Sequence, residues 1–180
     1  TPGHAAFTSL RKRGGNLADI AILVIDLNEG VKSQTEECIS ILKLYKTPFV
    51  IALNKIDLLP AWNSNIKMNL LENIQKQNEN PVLLLEKKLY NVVSKLSELG
   101  FNSERFDRIE DYTKQIAIIP ISAKTSEGIA ELLMVLAGLS QKFLENSLKI
   151  DVAGHAKGTV LEVKEEKGLG TTVDAIIYDG

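Results

Sequence analysis

The chain has 180 residues, of which 44% are hydrophobic and 24% charged, with a formal net charge of −2. That length suits one domain, or one domain and part of another, with a sizeable core and the balance of an ordinary globular protein. The charge offers no basic field for DNA, although a local patch for RNA stays open. No apolar run approaches a membrane span, and the single cysteine, Cys38, excludes a disulfide framework, so a reducing, cytoplasmic setting is the default.

In chain order, Thr1-Pro2-Gly3-His4 reads as a turn. Ala5 to Arg13 reads as a short helix stopped by Gly14-Gly15, with Arg11, Lys12 and Arg13 as either a solvated helix end or a contact to RNA phosphate. Ile20 to Asp26 is a buried strand, and Asn28-Glu29-Gly30 is the loop after it. Gln34 to Tyr45 places Cys38, Ile41, Leu42 and Tyr45 at helical spacing. Pro48 leads into a second buried strand, Phe49 to Leu53, which ends in Asn54-Lys55-Ile56-Asp57. Leu58 to Trp62 is a loop that Trp62 packs.

From Met68 to Leu99 the pattern is helical, with Leu85, Leu89, Val92, Val93, Leu96 and Leu99 on one stripe, a break at Asn80-Pro81 and a cap at Gly100. Ser103 to Lys114 reads as another short helix with Ser103 as its N-cap. Ile116 to Ile121 is a third buried strand, followed by Ser122-Ala123-Lys124. Ser126-Glu127-Gly128 opens a helix to about Leu148, with Ile129, Leu132, Leu133, Leu136, Leu139 and Phe143 as its apolar face. Strands alternating with helices predict an α/β, doubly wound parallel sheet. After Asp151 the pattern changes: Thr159–Val163 and Thr172–Tyr178 alternate as antiparallel strands around a turn at Lys167 to Gly170.

In such sheets ligands bind outside the carboxyl ends of the strands, where two polar motifs lie here. A carboxylate at Asp57 can accept both N1–H and the exocyclic amine of guanine, a donor pair that adenine lacks, and such pairing can discriminate by roughly 10⁴-fold. Lys55 can lay its stem along the base, and Asn54 can tie the turn to neighbouring loops. Ser122 can orient Asp57, and the N–H groups of Ala123 and Lys124 can donate to guanine O6. In the Pro2-Gly3 turn, a glycine N–H can approach a γ-phosphate, and His4 can order an attacking water. His155 reads as an exposed loop residue. Two distant histidines and one cysteine make no protein-built metal site.

TPGHAAFTSLRKRGGNLADIAILVIDLNEGVKSQTEE, then NKID and SAK, closely resembles the translation initiation factor 2 family of translational GTPases, in its archaeal and eukaryotic factor five-B branch. The resemblance implies the C-terminal part of a P-loop-NTPase-like sheet in residues 1–150, and in 151–180 the start of the antiparallel β-barrel that follows the GTP-binding domain. Thr1, Pro2, Gly3 and His4 match the second switch region, with His4 as the catalytic histidine. Asn54, Lys55 and Asp57 match the base-specificity motif, and Ser122, Ala123 and Lys124 the last guanine-contacting motif. GTP or GDP with Mg²⁺ is the implied cofactor. For the intact protein the resemblance implies partners in the ribosome and initiator methionyl-tRNA, and a role in subunit joining with GTP hydrolysis. Two rivals are another translational GTPase, of elongation-factor or selenocysteine-specific type, and a non-catalytic GTPase-like scaffold. The stretch Phe7 to Asp26 argues against the first, and His4 with an intact NKID against the second.

No G-x-x-x-x-G-K-[ST] occurs in the 180 residues, so the phosphate cradle, the Mg²⁺ ligands and the Asp that opens the first motif are expected upstream. The chain reads as an internal fragment, and the break before Thr1 as an arbitrary cut or a splicing junction, which requires Cys, Ser or Thr downstream. The 180-residue piece alone is therefore expected to bind GTP poorly and to hydrolyse none detectably. Phosphate release by the purified piece with Mg²⁺ checks this, and measurable turnover would contradict it.

Overall fold

The computed structural model describes residues 19–144 and 155–179. The chain divides into two units, Thr1–Ser140 and Gln141–Gly180. In the first, β1 (Ala21–Asp26), β2 (Phe49–Asn54), β3 (Ser103–Arg105) and β4 (Ile116–Pro120) form a wholly parallel sheet in the order β1-β2-β4-β3. Helix α1 (Ser33–Tyr45) connects β1 to β2, helices α2 (Leu70–Lys76) and α3 (Glu79–Glu98) connect β2 to β3, and α4 (Ile129–Leu144) follows β4. In the second unit β5 (Lys157–Glu166) and β6 (Gly170–Asp179) pair antiparallel. The parallel α/β sheet followed by an antiparallel pair is the architecture that the sequence predicts.

Position in the sheet explains the residue pattern of each strand. The interior strand β2 is covered on both faces, and Val50, Ile51, Ala52 and Leu53 are fully buried, so its sequence is a continuous apolar run. On β1, at the edge among the described strands, Leu23 and Ile25 are buried while Ile22 and Val24 are exposed. The α3 stripe supplies Leu85, Leu89, Val92 and Leu96 to the core at helical spacing. Gly100 closes α3 in the left-handed conformation, and Phe101 N–H reaches back to the Leu96 carbonyl at 2.9 Å.

Three details differ from the sequence reading. The helical stretch breaks at Gln77-Asn78, not at Pro81. Proline is the third residue of α3, where the N–H it lacks would have no acceptor within the helix. Ser103 to Lys114 is not a helix: Ser103–Arg105 pairs with β4, and Phe106–Arg108 is a 3₁₀ turn. Polar side chains hid this strand, because its stability comes from the backbone of β4 and from a charge cluster. The Arg105 guanidinium, 8% exposed, reaches Glu86 and Asp107, each at 2.5 Å, and Arg108 joins Glu86 at 2.8 Å. On α4, Leu133 is exposed and Val135 takes its place in the core. The side chain of Phe143 lies outside the described residues.

Removing Arg105 strands Asp107, which is about a fifth exposed, and leaves Glu86 to Arg108 alone. Arg105→Ala is expected to cost about 3 kcal/mol, near the low end for breaking a buried pair. Leu89→Ala, at a fully buried position, should cost a similar amount, within the range of about 2–5 kcal/mol for such truncations. Urea unfolding of each variant checks both values.

Candidate functional site

Because β2 and β4 are neighbours, their carboxyl ends deliver Asn54 and Ser122 to one corner of the sheet. The two backbones are joined there: Ile121 N–H donates to the Leu53 carbonyl at 2.8 Å, and Ile56 N–H to the Ile121 carbonyl at 3.2 Å. Lys55 has a left-handed φ of 75°, which turns the chain out of the strand and into the 3₁₀ turn Ile56–Leu58. Ile56 is fully buried under that turn and holds the half-buried Asp57 at the rim.

Ser122 is fully buried, and its hydroxyl donates to Asp57 Oδ1 at 2.7 Å. Thr125 N–H donates to the same hydroxyl oxygen at 3.2 Å, which directs the hydroxyl proton towards the carboxylate. The other oxygen of Asp57 makes no hydrogen bond among the described residues. Asn54 Oδ1 accepts the N–H of Lys55 at 2.8 Å and that of Ala123 at 3.0 Å, tying the two loops together. The Ala123 amide, expected on a base oxygen, is engaged by Asn54 in this structure; Ala123 and Lys124 are both exposed. The loop closes where Ser122 N–H meets the Glu127 carbonyl at 2.9 Å. Gly128 follows with a φ of +76°, and a Cβ there would lie 2.3 Å from the Pro120 carbonyl oxygen, so only glycine admits this return path.

Two residues of the corner escape the sequence reading. Asp26 is the last residue of β1, in register with Asn54, and its carboxylate holds the Lys55 ammonium at 2.7 Å. The signal was present: Asp26 ends one apolar run as Asn54 ends the next. The other is Glu127, whose carboxylate is buried. Thr1, Pro2, Gly3 and His4, and the Arg11, Lys12 and Arg13 cluster, lie outside the described residues. His155 is exposed, as expected, and Trp62 is buried, its backbone N–H donating to the Leu59 carbonyl at 3.1 Å.

Burial pushes the Asp26 carboxyl up, but the hydrogen bond from Lys55 and the Asn28 N–H at 2.7 Å outweigh it, and the net shift is downward. The Lys55 ammonium is held above its ordinary value, chiefly by its hydrogen bond to Asp26. A depressed carboxyl contributes stability above its unfolded value of about 3.9 and loses it as pH falls through the folded value. Carbon-detected NMR titration is expected to place Asp26 below the ordinary aspartate range, and Lys55→Met to move it upward.

Residues 1–142 match the family described as the elongation factor Tu GTP binding domain. A protein of Methanocaldococcus jannaschii named "Probable translation initiation factor IF-2" is 61% identical over 183 residues, covering 100% of this chain and 16% of that protein. A protein of the same name from Archaeoglobus fulgidus is 54% identical over 180 residues, covering 100% of this chain and 30% of that one. The crystal structure of GDP-bound aIF5B from Aeropyrum pernix matches with a TM-score of 0.86 at 51% identity, over 100% of this chain and 30% of that one. The chain thus spans less than a third of these relatives, and they bear out the resemblance drawn from its motifs. This chain belongs to the family of the elongation factor Tu GTP binding domain.

Proposed function

We propose that this chain is the guanine-reading part of a GTPase of translation initiation. In this reading the intact protein promotes binding of initiator methionyl-tRNA to the ribosome and subunit joining in the cytoplasm, and hydrolyses GTP. The observation that carries the proposal is the corner at the ends of β2 and β4. A buried serine hydroxyl at 2.7 Å fixes one oxygen of Asp57 and leaves the other to a ligand. A carboxylate so held suits the N1–H and N2–H₂ edge of guanine, with charge-assisted hydrogen bonds on the base. The relatives' names and the GDP-bound solved structure support the same reading.

The division of labour follows from the chemistry. Asp57 selects the base, Ser122 holds Asp57, and Asn54 keeps the two loops together. Lys55 lies beside the base, and the Ala123 and Lys124 segment closes over its O6 side. Thr1, Pro2 and Gly3 are assigned to the γ-phosphate, and His4 to ordering the attacking water. Phosphoryl transfer rests largely on such positioning and charge stabilisation. Among the described residues no group of three or more His, Cys, Asp or Glu could hold a metal ion. Mg²⁺ is the expected companion of the nucleotide, and no step is assigned to the ion here.

Asp57→Asn in the intact protein tests base reading and biological role together. Xanthine carries a carbonyl where guanine carries its amine, so an asparagine amide can donate to it. The variant is expected to lose about 100-fold or more in GDP affinity, the cost of two charge-assisted hydrogen bonds, and to gain affinity for XDP. It should also join ribosomal subunits with XTP and no longer with GTP. An unchanged base preference would overturn the guanine assignment, and subunit joining indifferent to either nucleotide would overturn the initiation role.

A further inference from the structure

Glu127 is 3% exposed, and no cation lies within ion-pair distance of it among the described residues. A buried carboxylate is costly unless hydrogen-bonded, and two neutral donors satisfy this one. Its Oε1 accepts from the side-chain amide of Asn73, itself buried in α2. Its Oε2 accepts from the indole N–H of Trp62 at 3.2 Å. The backbone carbonyl of the same residue holds the Ser122 amide at 2.9 Å.

These contacts place Glu127 between the two halves of the corner. On one side it grips the amide of the serine that orients Asp57. On the other it grips Trp62, which a run of turns connects to Lys55: Leu58 N–H to the Lys55 carbonyl at 3.1 Å, Leu59 N–H to the Ile56 carbonyl at 3.0 Å, and Trp62 N–H to the Leu59 carbonyl at 3.1 Å. The α2 segment is held from the same side again, since Glu131 on α4 accepts the Leu70 N–H at 2.7 Å. We infer that Glu127 is a positioning residue for base recognition. Its carboxylate sets the spacing between the Asp57 turn and the Ser122 loop through Trp62 and Asn73, and so controls how tightly and how selectively guanine is held. The inference deepens the proposed guanine site and rests on it.

Glu127→Gln keeps the shape but turns an amide donor towards one of the two existing donors. In the intact protein, GDP is expected to leave about tenfold faster, the effect of one spoiled buried hydrogen bond. The preference for GDP over IDP should fall at least about threefold in the same variant, because inosine lacks only the 2-amino group that Asp57 reads. Trp62→Phe removes one donor and should restore part of the loss when combined with Glu127→Gln, a coupling that a double-mutant cycle measures. Leu89→Ala, destabilising but remote from the corner, should leave the GDP-to-IDP ratio unchanged. Circular dichroism sets a temperature at which every variant is folded. A wild-type ratio in Glu127→Gln, or an equal drop in Leu89→Ala, overturns the proposal. If Asp57→Asn switches base preference while Glu127→Gln does nothing, this inference alone falls; if Asp57→Asn does nothing, the guanine reading falls and this inference with it.

Discussion

The parallel registration of β2 against β4 is the constraint on which the rest of the structure depends. Leu53 lies beside Pro120, so the two chains leave the sheet at the same level and on the same side. A slip of one residue would exchange the faces of every side chain in the strand. It would also carry Ser122 away from Asp57. The apolar runs Phe49–Leu53 and Ala117–Ile119 thus do more than fill the core. Their burial on both faces fixes the height at which the two polar motifs emerge, and the hydrogen bonds of Asn54 and Ser122 then join the loops that carry them.

Charge is used differently at the two ends of the sheet. Beside β3, Arg105 and Arg108 share Glu86 and Asp107 in a closed cluster whose groups satisfy one another. Burial pushes the Asp107 carboxyl up, yet its hydrogen bond with Arg105 leaves it below its ordinary value. At the β2–β4 corner the charges are left open. Asp57 keeps an oxygen without a hydrogen bond among the described residues, and the Lys55–Asp26 pair is half exposed on the lysine side. Closed clusters add specificity to a fold, whereas open ones retain the capacity to meet a ligand.

Much of this was legible in the sequence because the physics is local. The strands β1, β2 and β4 are apolar runs bounded by loop signals, and the α3 stripe follows the helical period. Asn54, Asp57 and Ser122 stand directly after such runs, which is why their meeting could be expected. What was not legible is relational. The strand at Ser103–Arg105 has no apolar pattern of its own and exists because β4 offers it a backbone edge. Pro81 looked like a break until the N-cap fell on Asn78, which placed it in a turn that tolerates it. Glu127 carries no local sign of burial. Its donors, Trp62 and Asn73, lie 65 and 54 residues away, and the sequence pattern has no term for that distance.

The strand order has a consequence for how the molecule acquires its shape. β4 is last of the four in sequence but lies between β2 and β3, so β2 waits for its neighbour and β3 gains its pairing only when β4 arrives. The bonds that join the corner span 65 residues, from Asp57 to Ser122, and 69, from Asn54 to Ala123. At about 5–20 residues per second, a ribosome finishes the first half of the corner several seconds before the second. Contacts so far apart in sequence form late. On the proposed reading, guanine held at this corner would report on the completion of the sheet: a nascent chain that holds it is one in which β4 has already joined β2.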